Sequence, residues 1–214
     1  MDGFLEEHSS EALVVRVKDE GYPLGNNQLT FAEAFDRDIK NTRRIRPFDA
    51  RHPLPSLGEL RGSIFLLQEF KSSHLYGLEW DGTHMTLEDW WIVPDLSFLP
   101  IKWDKIRAAL ELAATKPLDN SSLYLAHVSA TGERLMPVNA AAGPTDRSVG
   151  GLNDRTGHWL EDQCGAFPQP RVGIVIMDFP GWRAIDAVLA WNEALRQSRG
   201  VDDLEQRCLL KRDV

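Results

Sequence analysis

The chain has 214 residues, 43% hydrophobic and 26% charged, with a net charge of −8 and a pI near 5.3. This is the balance of an ordinary soluble domain, and its spread acidity excludes the basic field of a nucleic-acid binder. No apolar stretch approaches the roughly 18 residues of a membrane span, and no charged start followed by an apolar core marks a signal peptide.

Residues 2–9, "DGFLEEHS", read as the tail of a helix. Ala12–Val17 is a short β-branched run that ends at Lys18. Residues 29–41 carry apolar side chains at helical spacing. "PLPSLGEL" is a Pro- and Gly-marked loop into a strand over 63–68. Ile64–Leu67 is unbroken apolar, as in a strand buried on both faces, and Glu69 stands at its outgoing end. That carboxylate is either a solvated terminus or a group aimed into a site. Residues 84–89 read as a further strand, and 105–115 as an Ala- and Leu-rich helix stopped by Pro117. Residues 122–128 and 172–178 are strands, and 182–197 is the clearest helix, with Gly200 beyond it. The two cysteines, Cys164 and Cys208, fit no metal spacing and are read equally as a pair or as free thiols.

Apolar strands alternating with helices predict an α/β fold with a parallel sheet. In such folds ligand groups gather at the carboxyl ends of the strands. Those ends carry Lys18, Glu69, Asp89, His127 or Ser129, and Asp178. A mouth shared by these charges is the expectation. His127 is read as a packed core histidine, and none of the six histidines has metal-ligand spacing.

Four segments in order resemble the catalytic domain of the phosphatidylinositol-specific phospholipases C of bacteria and fungi: "SSEALVVRVKDE", "SLGELRGSIFLLQEF", "LEDWW" and "RVGIVIMDF". The resemblance implies a TIM-like (β/α) barrel, of which this chain would supply roughly the last five strands of eight. Residues 1–200 would be the C-terminal portion of that domain and 201–214 a polar tail.

The family reaction implied is phosphodiester cleavage, in which an inositol hydroxyl attacks phosphorus and two histidines act as base and acid. Those histidines have no counterpart by motif here, so the chain alone is expected to be inactive. An incomplete gene, or a non-catalytic polyol-binding module, are the rival readings. Lys18 and Asp89 match ring-contacting residues of the family. Trp91 stands where the family has a stacking tyrosine, which keeps the stacking face and loses the phenol hydroxyl. Asp178 matches the aspartate that orients a catalytic histidine, or else caps a turn. Glu69 stands where family members often carry an arginine, a reversal that replaces donors with an acceptor. No metal site and no cofactor are expected; calcium is left open, with nothing in the sequence to support it. The expected partner is a phosphoinositide or polyol headgroup, with peripheral membrane contact and no nucleic acid. A longer form would be secreted or cytoplasmic.

Overall fold

The computed structural model describes residues 1–21, 28–167 and 170–198. The predicted tail, 201–214, and Gly200 lie outside the described residues. The contacts divide the chain into two compact units. The first holds residues 1–85 and 119–122, the second 86–118 and 123–214.

The first unit opens with helix α1 (Asp2–Glu7), strand β1 (Leu13–Lys18) and helix α2 (Phe31–Ile39). Strands β2 (Ile45–Arg46), β3 (Ile64–Glu69) and β4 (Leu78–Glu79) follow. The central strand is β3, with Ile64–Leu67 buried as the apolar run predicts. β1 lies along one edge of it, parallel and in register from Leu13–Ile64 to Lys18–Glu69. The short β2 and β4 pair with it in parallel at its start and its end. Neither two-residue strand was legible in the sequence, because so short a run carries no period.

α2 starts at a capping box. The Thr30 hydroxyl accepts from the Glu33 amide, and the Glu33 carboxylate accepts from the Thr30 amide at 2.7 Å. These amide and hydroxyl donors hold the Glu33 carboxyl below its ordinary range. The apolar side of α2 meets Phe70 and Tyr76 through Phe31 and Phe35, with ring centroids about 5 Å apart. Phe35 and Ile39 also line a mostly apolar cavity of about 310 Å³ with Val15, Val17, Ile64 and Leu66. Those residues mark the helix-covered face of the sheet. The pleat sends Arg16, Lys18 and Glu69 to the opposite face.

The second unit carries β5 (Met85–Glu88), α3 (Leu99–Thr115), β6 (Leu123–His127), α4 (Pro137–Ala142), α5 (Leu152–Gln163), β7 (Ile174–Ile176) and α6 (Trp182–Ser198). Its sheet runs β5-β6-β7, and β6 and β7 are parallel. α3 begins at Leu99, six residues before the predicted start, because Pro100 sits in the first turn where its missing amide costs nothing. Ala126, Val128 and Ala130 face a core built with Ile106 and Leu110 of α3, Leu152 and Leu160 of α5, and Trp191 of α6. The Trp191 indole donates to the Leu160 carbonyl at 2.8 Å, so its buried N–H is satisfied.

α5 was not foreseen. Its buried positions are Leu152, Asn153, Thr156, Gly157 and Leu160, helically spaced but mostly polar or small. Gly157 is where α6 comes close: a Cβ there would lie 2.9 Å from Arg183 Cγ and 3.3 Å from the Ala184 amide nitrogen. Cys164 stands just past α5, and Cys208 lies outside the described residues. No helix among the described residues is long and apolar enough to cross a membrane.

Candidate functional site

At the outgoing end of the first sheet, Glu69 is neither solvated nor free. Arg16 Nε donates to Glu69 Oε2 at 2.5 Å, and a second guanidinium nitrogen pairs with the same oxygen. The parallel register makes this contact. It sets Lys18 opposite Glu69 and brings Arg16, two residues earlier on the same face, diagonally beside it. Lys18 Nζ lies 3.9 Å from the other carboxylate oxygen and 3.3 Å from Glu20. The Arg16 guanidinium also covers the Trp80 ring, 3.8 Å from its centroid. Trp80 is tied in turn by its amide to the Gln68 carbonyl. Two cations therefore share one strand-end acid on a face turned away from α2. Arg16 and Trp80 were both passed over in the sequence, because only the neighbouring strand shows what Arg16 faces.

In the second unit the ends of β5, β6 and β7 carry the remaining candidates. Glu88 turns toward the helices and meets Lys102 of α3 at 2.6 Å, both side chains buried. Burial pushes the Lys102 ammonium below its ordinary range, with Glu88 opposing the shift. Asp89 points the other way. Its Oδ1 lies 3.3 Å from His127 Nε2. His127 Nδ1 lies 3.3 Å from the Ser129 hydroxyl. His127 is buried, at 7% exposure, as the reading of a core histidine expects. It is not packed in the apolar core, however. Ala126 and Val128 take the helix side, and His127 takes the other face with a carboxylate partner.

Asp178 follows β7. β7 ends at Ile176, and Asp178 stands in the bend two residues beyond it. The chain turns sharply there, with Phe179 at φ 48°. Asn153 at the start of α5 holds this turn, donating to the carbonyls of Asp178 and Phe179 at 2.8 and 3.1 Å. Trp91 sits past β5, partly exposed, on a segment bonded to Thr131. The strand-end charges thus form two groups. One joins Lys18 and Glu69 around Arg16, and the other sets Asp89 beside His127, with Asp178 in the bend after β7. Among the described residues no cluster of His, Cys, Asp or Glu is arranged to hold a metal ion.

No family model matches the chain. Its fold matches that of the phosphatidylinositol-specific phospholipase C from Listeria monocytogenes with a TM-score of 0.67 at 24% identity, covering 89% of this chain and 67% of that one. The chain has the phosphatidylinositol-specific phospholipase C fold. A second phospholipase C structure, from Staphylococcus aureus and described by its membrane binding, matches with a TM-score of 0.62 at 16% identity, covering 89% and 67%. The 1-phosphatidylinositol phosphodiesterase of Listeria monocytogenes is 22% identical over 205 residues, 89% of this chain. The chain spans 57% of the length of that curated relative. The partial TIM-like phospholipase C barrel expected from four short segments is therefore borne out, and its strand ends are where both charged groups lie.

Proposed function

We propose that the chain acts as a phospholipase C-like phosphoric diester hydrolase whose substrate carries an inositol phosphate headgroup. The observation that carries this reading is the cluster at the end of β1 and β3, on a phospholipase C fold. Arg16 and Lys18 face one way with a single shared acid between them. A polyol phosphate offers what such a group binds. Its phosphate oxygens accept from the guanidinium and ammonium, and its ring hydroxyls donate to the carboxylate.

Glu69 does not repel an anion as strongly as its isolated charge suggests, since Arg16 already compensates it. The arginine that family members carry at this strand end has a counterpart one strand over, at Arg16. The resemblance gives Asp89 and Trp91 of the second unit the roles of ring contact and stacking, and Asp178 that of orienting an imidazole. In the reaction a ring hydroxyl attacks phosphorus and closes a cyclic phosphate. The hydroxyl loses a proton while the lipid oxygen leaves and gains one. Cationic side chains near phosphorus stabilise the charge gathering on its non-bridging oxygens.

Exposed apolar side chains support contact with a lipid surface. Phe179 and Trp182 after β7 are 65% and 82% exposed, with Ile92 after β5 and Met136 after β6 also open. All four follow strand carboxyl ends of one sheet.

Calorimetry with inositol 1-phosphate tests the headgroup reading. The chain should bind it, and Lys18→Ala and Arg16→Ala should each weaken binding by about tenfold, the worth of one charge-assisted contact. Equal affinity in both variants and the parent chain would refute it.

A further inference from the structure

The bend that follows β7 keeps an aromatic side chain where the backbone least favours one. Phe179 has φ 48°, in the left-handed region that glycine or asparagine occupies at little cost and a bulky aromatic does not. Its side chain is 65% exposed, so burial does not offset that strain. Three residues on, Trp182 opens α6 at 82% exposure. Pro180 between them disfavours a right-handed helical conformation for Phe179 and brings no amide to the bend. Such a turn needs a support from outside to hold its shape.

Asn153, the second residue of α5, supplies it. Its side-chain nitrogen donates to the carbonyls of Asp178 and Phe179 at 2.8 and 3.1 Å. Two successive carbonyls turned toward one amide specify the bend between them. Both carbonyls need a donor, which fixes the amide's orientation. The side chain is only 8% exposed, and its Oδ1 has no hydrogen-bond partner among the described residues. An unpaired buried acceptor is costly, so this orientation is held by what the nitrogen does for the bend. The base is firm. Leu152 and Leu160 of α5 are fully buried, the Thr156 hydroxyl donates to the Leu152 carbonyl at 2.8 Å, and Gly157 lets α6 come close. The far end of the bend is fixed by α6, where the Ile185 amide donates to the Gly181 carbonyl at 3.2 Å.

We propose that Asn153 is a positioning residue that presets the 178–182 bend, so that Phe179 and Trp182 meet a phospholipid surface as one rigid wedge. This rests on the lipid-contact reading above and names the residue that makes the contact efficient. Aromatic side chains offer large contact area with few rotatable bonds. A bend already held in its bound shape leaves little ordering to be done at the moment of contact. Trp182 suits the boundary of a bilayer, where an indole keeps its body in apolar surroundings and its N–H near the headgroups. The strain at Phe179 is then the cost of pointing a ring outward, and the two bonds from Asn153 offset it.

The experiment measures co-sedimentation of the full chain with phosphatidylinositol vesicles and, in parallel, inositol 1-phosphate affinity by calorimetry. Asn153→Leu keeps the size of the side chain and removes both donors. It should weaken vesicle binding by about five- to tenfold, with inositol 1-phosphate affinity moving by less than about twofold. The same substitution placed in the Phe179→Ala/Trp182→Ala chain should have no further effect, because the groups it positions are gone. Pro180→Gly, at the exposed tip of the bend, should weaken vesicle binding by about threefold by loosening the same turn, so the outcome is readable even where Asn153→Leu does not fold. Vesicle binding that stays unchanged in the folded variant overturns the proposal. An equal loss with and without the two aromatics also overturns it, since Asn153 would then act through the fold as a whole. A parent chain that binds inositol 1-phosphate but no vesicles overturns the lipid-contact reading together with this inference and leaves the headgroup reading standing. Binding to neither overturns all three.

Discussion

Glu69 reads as an unpaired acid at a strand end until β1 is laid beside it. Reversal of charge at a position where arginine is common suggests a site that rejects phosphate. The diagonal contact with Arg16 changes that, because the neighbouring strand returns a guanidinium to the same face. Both side chains are about three-quarters buried, so their pairing is worth more than a solvated one yet stays partly screened. Glu69→Gln should lower the denaturant-derived stability by about 0.5–1.5 kcal/mol. The same change removes the negative charge that Arg16 and Lys18 share, while Lys18 keeps Glu20 beside it. It should tighten inositol 1-phosphate binding by about fivefold at low salt, an effect that fades as salt is added. Looser binding in the variant would show that the ring-hydroxyl contacts of Glu69 outweigh its repulsion of the phosphate.

Lys102 and Glu88 decide how β5 meets α3. Each is an expensive group to bury alone, and together they form one satisfied pair at 2.6 Å, with the Trp90 amide donating to the second Glu88 oxygen. Lys102→Met should cost about 3–5 kcal/mol because it strands a buried carboxylate. Lys102→Met combined with Glu88→Gln should recover most of that loss, a coupling that a double-mutant cycle reads directly. The pair also sets a pH dependence. Burial lowers the Lys102 ammonium from its ordinary 10.5, so the unfolded chain holds this proton more tightly than the folded one. Stability therefore gains a rising contribution as pH climbs from the lowered value to about 10.5, and the Lys102→Met variant should lack it. The β6–β7 pairing has its own constraint. Gly173 sits at φ 74°, and a Cβ there would fall 2.3 Å from the Tyr124 carbonyl. Gly173→Ala should lower the thermal midpoint by disturbing the strand that leads to Asp178, at a cost of about 1–3 kcal/mol.

At the scale of the molecule, the loops that follow β5, β6 and β7 pair strand-end chemistry with open apolar side chains. Trp182 and Phe179 gain nothing from water and are too far apart in character from a polar rim to be there for solubility. Trp182→Ala with Phe179→Ala should leave inositol 1-phosphate affinity unchanged and reduce co-sedimentation with phosphatidylinositol vesicles by about tenfold or more, since each aromatic inserted contributes about 1–2 kcal/mol. Unchanged sedimentation would assign lipid contact to another face.

Burial on both faces of β3, the β-branched run of β1, the 182–198 helix and the parallel α/β class were all legible, because hydrophobic period and length suffice for long elements. Lys18, Glu69, Asp89 and Asp178 were legible as strand-end charges for the same reason, since a strand's end is set by its own residues. The two-residue β2 and β4 were not, and neither was α5, whose contact surface is Asn153, Thr156 and Gly157 rather than large apolar side chains. What each charge faces depends on register and pleat between strands far apart in sequence: Arg16 with Glu69 is 53 residues distant, and Asp89 with His127 spans a whole helix. The chain alone therefore determined which residues reach the carboxyl ends of the strands. Tertiary structure decided their partners, turning an isolated acid into an ion pair and setting a histidine expected in the core 3.3 Å from a carboxylate, because a side chain's ionic surroundings are set by the neighbouring strand and not by its own.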